Sequence, residues 1–182
     1  MIKKKGFTII EIIVVIAVVG MTLPTIFSLM FLSFQAQNRV RALQNVKESG
    51  DYSFSVMQSL IRQFGHGIYK AADSSSINKV CGSTGESYTG RLYFKDINDN
   101  FFSFSIDNNR IASTSGAIVY YLTPENVTAQ EADFVISCER LTDFDPPLVT
   151  IDFTLTVGAT QLRYEDKAEL RYQTKVKLRN ID

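Results

Sequence analysis

Between Phe7 and Phe34 the chain runs for 28 positions with one formal charge, Glu11. No other feature restricts folding so severely, because so apolar a stretch must be covered by lipid or by protein. As an α-helix it would extend roughly 42 Å at about 1.5 Å per residue, more than a ~30 Å hydrocarbon core requires. Lys3, Lys4 and Lys5 precede it. A basic flank of this kind stays cytoplasmic, which predicts that everything after about Gln35 lies outside the membrane. A cleaved secretory signal has an apolar run of about 7–15 residues, shorter than this one. A plain signal anchor matches the length but leaves Glu11 unexplained. An acid at the centre of a spanning helix costs about 2.5–3.5 kcal/mol, and less toward an end.

The string Lys3-Lys4-Lys5-Gly6-Phe7-Thr8-Ile9-Ile10-Glu11 continues in an Ile/Val/Ala run to Val19. It resembles the class III signal of type IV prepilins and type II secretion pseudopilins. The resemblance spans about 28 residues, and its diagnostic part is confined to those nine. It implies that a prepilin peptidase cuts between Gly6 and Phe7 and methylates the new amine on Phe7. It also implies that Glu11, fifth in the mature chain, serves assembly. The residues agree with that on physical grounds. Cleavage would create a cationic amine at Phe7, one helical turn from Glu11, and a carboxylate away from water needs such a partner. The amine of the same chain is one candidate and that of a neighbouring subunit is the other. Only the second gives a reason for assembly, by fixing axial register.

Pro24 stands inside the apolar helix, with Gly20 four residues earlier. Proline removes one backbone hydrogen bond and clashes with the carbonyl four residues back, so a kink or local melting is expected at Gly20–Pro24. Pilin helices resemble this in carrying helix breakers at comparable depth, although their usual proline lies a few positions later. A kink without function is the alternative. Beyond Phe34 the sequence turns polar, and Val40, Leu43, Val46, Phe54, Met57, Leu60, Ile61 and Phe64 recur at intervals suiting one face of an amphipathic helix. The stripe is interrupted at Ser49-Gly50, and Gly65-His66-Gly67 supplies a stop. The expected organisation is a leader over 1–6, a transmembrane and polymerisation helix over 7–34, an amphipathic helix over 35–66 and a strand-rich head over 67–182.

Strands are expected at Leu92–Ile97, Phe101–Ile106, Ala117–Leu122 and Phe134–Cys138, with turns at Asn98-Asp99-Asn100 and Asp107-Asn108-Asn109. Val149, Ile151, Phe153, Leu155 and Val157 alternate with polar residues, as do Ala168, Leu170, Tyr172, Val176 and Leu178. Period two over that length is a half-buried antiparallel strand, and the two should pair. The fold class is α+β: a helical spine with an antiparallel sheet on its outer half, which the pilin resemblance implies too.

Lysines and arginines number 19, as do acids, and loss of Lys3–Lys5 would leave the chain acidic by three charges. That balance gives no support to nucleic acid as a partner. Cys81 and Cys138 fall in the part that should meet an oxidising compartment. A disulfide is expected there, with two buried thiols as the alternative, and no cofactor or metal is expected. Asp96, Asn98, Asn100 and Asp107 have the spacing of a calcium loop, but Phe101 occupies the glycine position, and a hairpin turn is the stronger reading. Asn126-Val127-Thr128 fits a glycosylation sequon, a pattern too short to carry weight. His66, the sole histidine, sits at a helix end, and no nucleophile or phosphate-loop motif occurs, so catalysis is not expected.

The function expected is a pilin or pseudopilin subunit, its length and broad head favouring a minor, priming or tip-proximal one. The partners implied are other such subunits, prepilin peptidase, the inner-membrane assembly platform and membrane lipid. The chain would sit in the inner membrane, then in a pilus or pseudopilus. The alternative is a membrane-anchored binding or adhesion module that does not polymerise.

Overall fold

A computed structural model describes residues 8–142, 144–157 and 167–178. The leader, Gly6 and Phe7 fall outside these residues, as does the link between the two long C-terminal strands. The chain folds as α+β, with one long helix and two antiparallel sheets packed on its C-terminal half.

Helix α1 runs unbroken over Ile9–Phe64, 56 residues or roughly 84 Å. It is buried only from Ala42 onward, through Val46, Ser49, Gly50, Ser53, Met57 and Ile61. Of the stripe read from the sequence, Val46, Met57 and Ile61 are core residues, whereas Val40, Leu43 and Phe64 are exposed. Ser49-Gly50 is no interruption. The helix meets the head there through small residues, since the ring of Tyr172 lies where a Cβ on Gly50 would stand 2.1 Å from its Cζ. The Tyr172 hydroxyl also reaches the carbonyls of Val46 and Lys47, each at 3.2 Å. The helix stops at Gly65, whose backbone is extended rather than left-handed. Glycine is required there by space, because a Cβ would lie 2.6 Å from the Ile61 carbonyl oxygen.

One sheet takes β1 (Gly67–Tyr69), β3 (Tyr93–Lys95), β4 (Phe101–Asp107), β5 (Arg110–Ser115) and β6 (Ile118–Tyr121), in that spatial order. The other takes β2 (Ser87–Thr89), β7 (Val127–Ala129), β8 (Val135–Glu139), β9 (Leu148–Val157) and β10 (Ala168–Lys177), in the order β10-β9-β8-β2. Strand β7 also pairs with β9, beyond the end of β8. The expected single sheet is therefore two, because β9 and β8 never meet the β3–β6 hairpins in one ladder. The expected β9–β10 pairing is present over all ten residues of each strand. Asn108 and Asn109 both adopt left-handed φ, 49° and 58°, as a two-residue hairpin turn demands.

Phe94, Phe104 and Phe153 are fully buried, and Phe153 stacks on Tyr172 with ring centroids 5.2 Å apart. Cys81 and Cys138 are bonded, with Cα atoms 6.2 Å apart and a separation of 57 positions in the sequence. The bridge ties the segment before β2 to β8, and closing a loop of that length contributes about 4 kcal/mol in the chain-entropy account.

Arg171 on β10 grips Asp152 on β9 through two hydrogen bonds of 2.8 and 2.6 Å. The guanidinium holds the Asp152 carboxyl below the usual aspartate range, against the opposing effect of burial. A carboxyl depressed in the folded state contributes stability that is complete above its unfolded pKa, about 3.9, and lost as pH falls through its folded value. Urea unfolding of the full chain at stepped pH should show stability declining below about pH 4. Asp152→Asn should flatten that decline and lower stability at neutral pH by under about 1 kcal/mol, since Arg171 is exposed.

Candidate assembly site

From Ile9 to Arg41 the helix touches nothing in its own chain closely enough to bury a residue; only Gln35 is half-covered. Ile9, Met21 and Leu29 are 80, 77 and 68% exposed. Burying one such side chain fully is worth about 1.5–3 kcal/mol. A row of them standing bare on every side of the helix is a surface made to be covered. The most apolar 18-residue window has a mean hydropathy of 2.5, long and apolar enough to cross a membrane.

Glu11 is the one ionisable side chain between Thr8 and Asn38. It occupies the first turn of α1, where the exposed N–H groups and the positive end of the helix dipole favour a carboxylate. The Thr8 N–H points to Glu11 Oε2 at a long 3.5 Å. Thr8-x-x-Glu11 is thus a capping-box spacing, a signal already present in the sequence. Glu11 therefore has a local role in starting the helix, apart from any role between subunits. Gly6 and Phe7, expected to carry cleavage and methylation, lie outside the described residues.

Of the kink or local melting expected at Gly20–Pro24, melting is not seen in the single chain, where helix geometry persists through both residues. Covalent structure still denies the Gly20 carbonyl a donor from Pro24. Two neighbouring hydroxyls fold back onto the backbone: Thr22 Oγ1 donates to Val19 O at 3.2 Å and Thr25 Oγ1 to Thr22 O at 2.7 Å. Beyond its chain neighbours and the adjoining helix backbone, nothing among the described residues lies within 4 Å of a Cβ placed on Gly20.

The remaining singled-out residues serve the fold. Asp96 accepts from the backbone N–H groups of Asn98 and Asn100, both at 2.8 Å, and from the Asn100 side chain at 3.3 Å. Burial opposes its ionisation, but these donors prevail and keep its carboxyl below the usual range. Asp107 accepts from the Tyr121 hydroxyl at 2.5 Å. These residues make hairpin turns, as the stronger of the two sequence readings had it. Among the described residues no group of three or more His, Cys, Asp and Glu is placed to hold a metal. His66 Nδ1 sits 3.2 Å from the Phe64 carbonyl at the helix end.

No curated protein and no solved structure matches the chain significantly. Residues 1–23 match the family model of the prokaryotic N-terminal methylation motif. Its described part, from Thr8 on, is the bare first stretch of α1. The N-terminus thus carries the methylation motif that marks class III signals of type IV pilins and pseudopilins, and the motif runs into a helix whose far half carries an α+β head.

Proposed function

We propose that this chain is a structural subunit of a type IV pilus-like or type II secretion filament, assembled through α1. In this reading prepilin peptidase removes residues 1–6 by cutting between Gly6 and Phe7, and Phe7 is then methylated. The helix waits in the inner membrane, covered by lipid, with the head outside. An assembly platform then moves it into a bundle of other pilin-type helices. The observation that carries this is the junction of a methylation motif with a long bare apolar helix holding one acid in its first turn. Neither lipid nor a helix bundle can solvate Glu11, so a neighbour's Phe7 amine, cationic whether methylated or not, supplies the compensating charge and sets the register. Gly20 and Pro24 serve as the point where the helix can stretch as the bundle forms, because the backbone there already lacks one hydrogen bond. A minor, priming or tip-proximal place fits the broad two-sheet head better than repeated use along a shaft.

Mass spectrometry of the chain purified from cells with an active prepilin peptidase is the direct test. The expected N-terminus is Phe7 with one added methyl group. Recovery of the intact chain from Met1 would overturn the proposal and favour a membrane-anchored module that does not polymerise.

A further inference from the structure

About 850 Å³ of open space lies on the outer face of the β1-β3-β4-β5-β6 sheet, between the β3–β4 turn and the β5–β6 turn. Strand alternation sends Phe102 and Phe104 into the core and Ser103 to the other face. The ladder sets Tyr93, Ser103, Thr114 and Val119 side by side across four strands on that outer face. Ser103 and Thr114 are direct cross-strand partners, so their Cβ atoms stand about 5 Å apart. Gly116 turns the chain at a φ of 57° with nothing within 4 Å of its Cβ position, which keeps the far rim low.

Ser103 is the telling residue. It is 2% exposed, yet among the described residues its hydroxyl makes no hydrogen bond. Among the described residues no fully enclosed side-chain polar atom goes without a partner, so this oxygen keeps some contact with the groove. An oxygen that reaches the groove is free to hydrogen-bond to water or to a bound group there. The charge around it is positive. Arg91 lies over the Tyr93 ring, 5.3 Å from its centroid, with no carboxylate partner among the described residues. The nearby acid, Asp99, is neutralised by Lys95 at 2.7 Å. Tyr93 and Phe101 add aromatic walls.

We propose that this groove binds a carboxylated sugar ring of an acidic polysaccharide. Arg91 donates to the carboxylate, Ser103 and Thr114 hydrogen-bond to ring hydroxyls, and an aromatic wall meets the ring's C–H face. A neutral sugar would leave Arg91 without a counter-charge, and an acidic peptide would leave the paired hydroxyls unused. The site is separate from α1 and does not depend on filament assembly.

The test titrates the full chain in detergent micelles with an alginate hexasaccharide, a maltohexaose and poly-glutamate, followed by ligand-observed NMR. Alginate should bind at least about tenfold more tightly than either competitor. Arg91→Gln and Ser103→Ala should each weaken it by about tenfold, and Lys177→Gln, remote from the groove, should change nothing. Thr114→Val keeps the side-chain shape and guards against a Ser103 variant that fails to fold; it too should weaken alginate. Equal binding of maltohexaose or poly-glutamate, no binding by the unaltered chain, or groove variants that bind normally would each overturn the assignment.

Discussion

Replacing Glu11 by alanine should empty the chain from filaments, and replacing it by glutamine should do the same while leaving the start of α1 intact. The two variants separate the local role of this side chain from the role proposed for it between subunits. Glutamine at the third helical position completes a capping box as glutamate does, so Glu11→Gln keeps the local contact with Thr8 and discards only the charge. Removing one member of a buried ion pair costs about 3–5 kcal/mol, far more than the few tenths to about 1 kcal/mol that a charge near a helix end contributes. The amount in sheared filaments relative to the membrane pool should therefore fall at least about tenfold for both variants. The Cys81–Cys138 bridge should form normally in each, because the head lies far along α1 from residue 11. If Glu11→Gln assembled as well as the unaltered chain while Glu11→Ala did not, the acid would be a helix cap, and charge pairing between subunits would be wrong.

Gly50→Ala should destabilise the head by about 1–3 kcal/mol, although alanine is the better helix former by about 1 kcal/mol. The added Cβ would meet Tyr172 Cζ, Cε2 and Oη at 2.1, 2.3 and 2.4 Å, so the ring must leave. Leaving costs the stack on Phe153 and the hydroxyl's contacts with Val46 and Lys47. In a Tyr172→Ala background the obstruction is gone, and the same Gly50→Ala change should become neutral or stabilising by up to about 1 kcal/mol. Urea midpoints of the four chains in micelles measure the coupling. An equal loss in both backgrounds would mean that Gly50 matters for some reason other than Tyr172.

These two sites differ in how far the sequence reveals them. Glu11 announces itself, because one acid in 28 otherwise uncharged positions is improbable without a use. Thr8, three positions earlier, is just as visible and completes a capping-box spacing. Gly50, by contrast, looks like a break in an amphipathic stripe. Its purpose depends on a tyrosine more than a hundred residues later, which no local pattern connects to it. The two long C-terminal strands were legible because apolar and polar residues alternate along most of each. The three-residue strands β1, β2 and β7 were not, since so short a segment has no period to detect and exists only through its partner. Strand β5, Arg-Ile-Ala-Ser-Thr-Ser, carries little β signal beyond the turn preceding it. The groove residues Tyr93, Ser103 and Thr114 are ordinary strand residues until register sets them in one row.

The sequence by itself determined the helix, its bare apolar half, the methylation signal, the α+β class and the pairing of the last two strands. Each is written in contiguous residues, where composition and period act locally. Only the tertiary structure decided that there are two sheets, that small residues form the seam under Tyr172, and that the Ser103 hydroxyl faces an open cleft. Those outcomes rest on contacts between distant segments, which are chosen by volume, register and the satisfaction of polar groups.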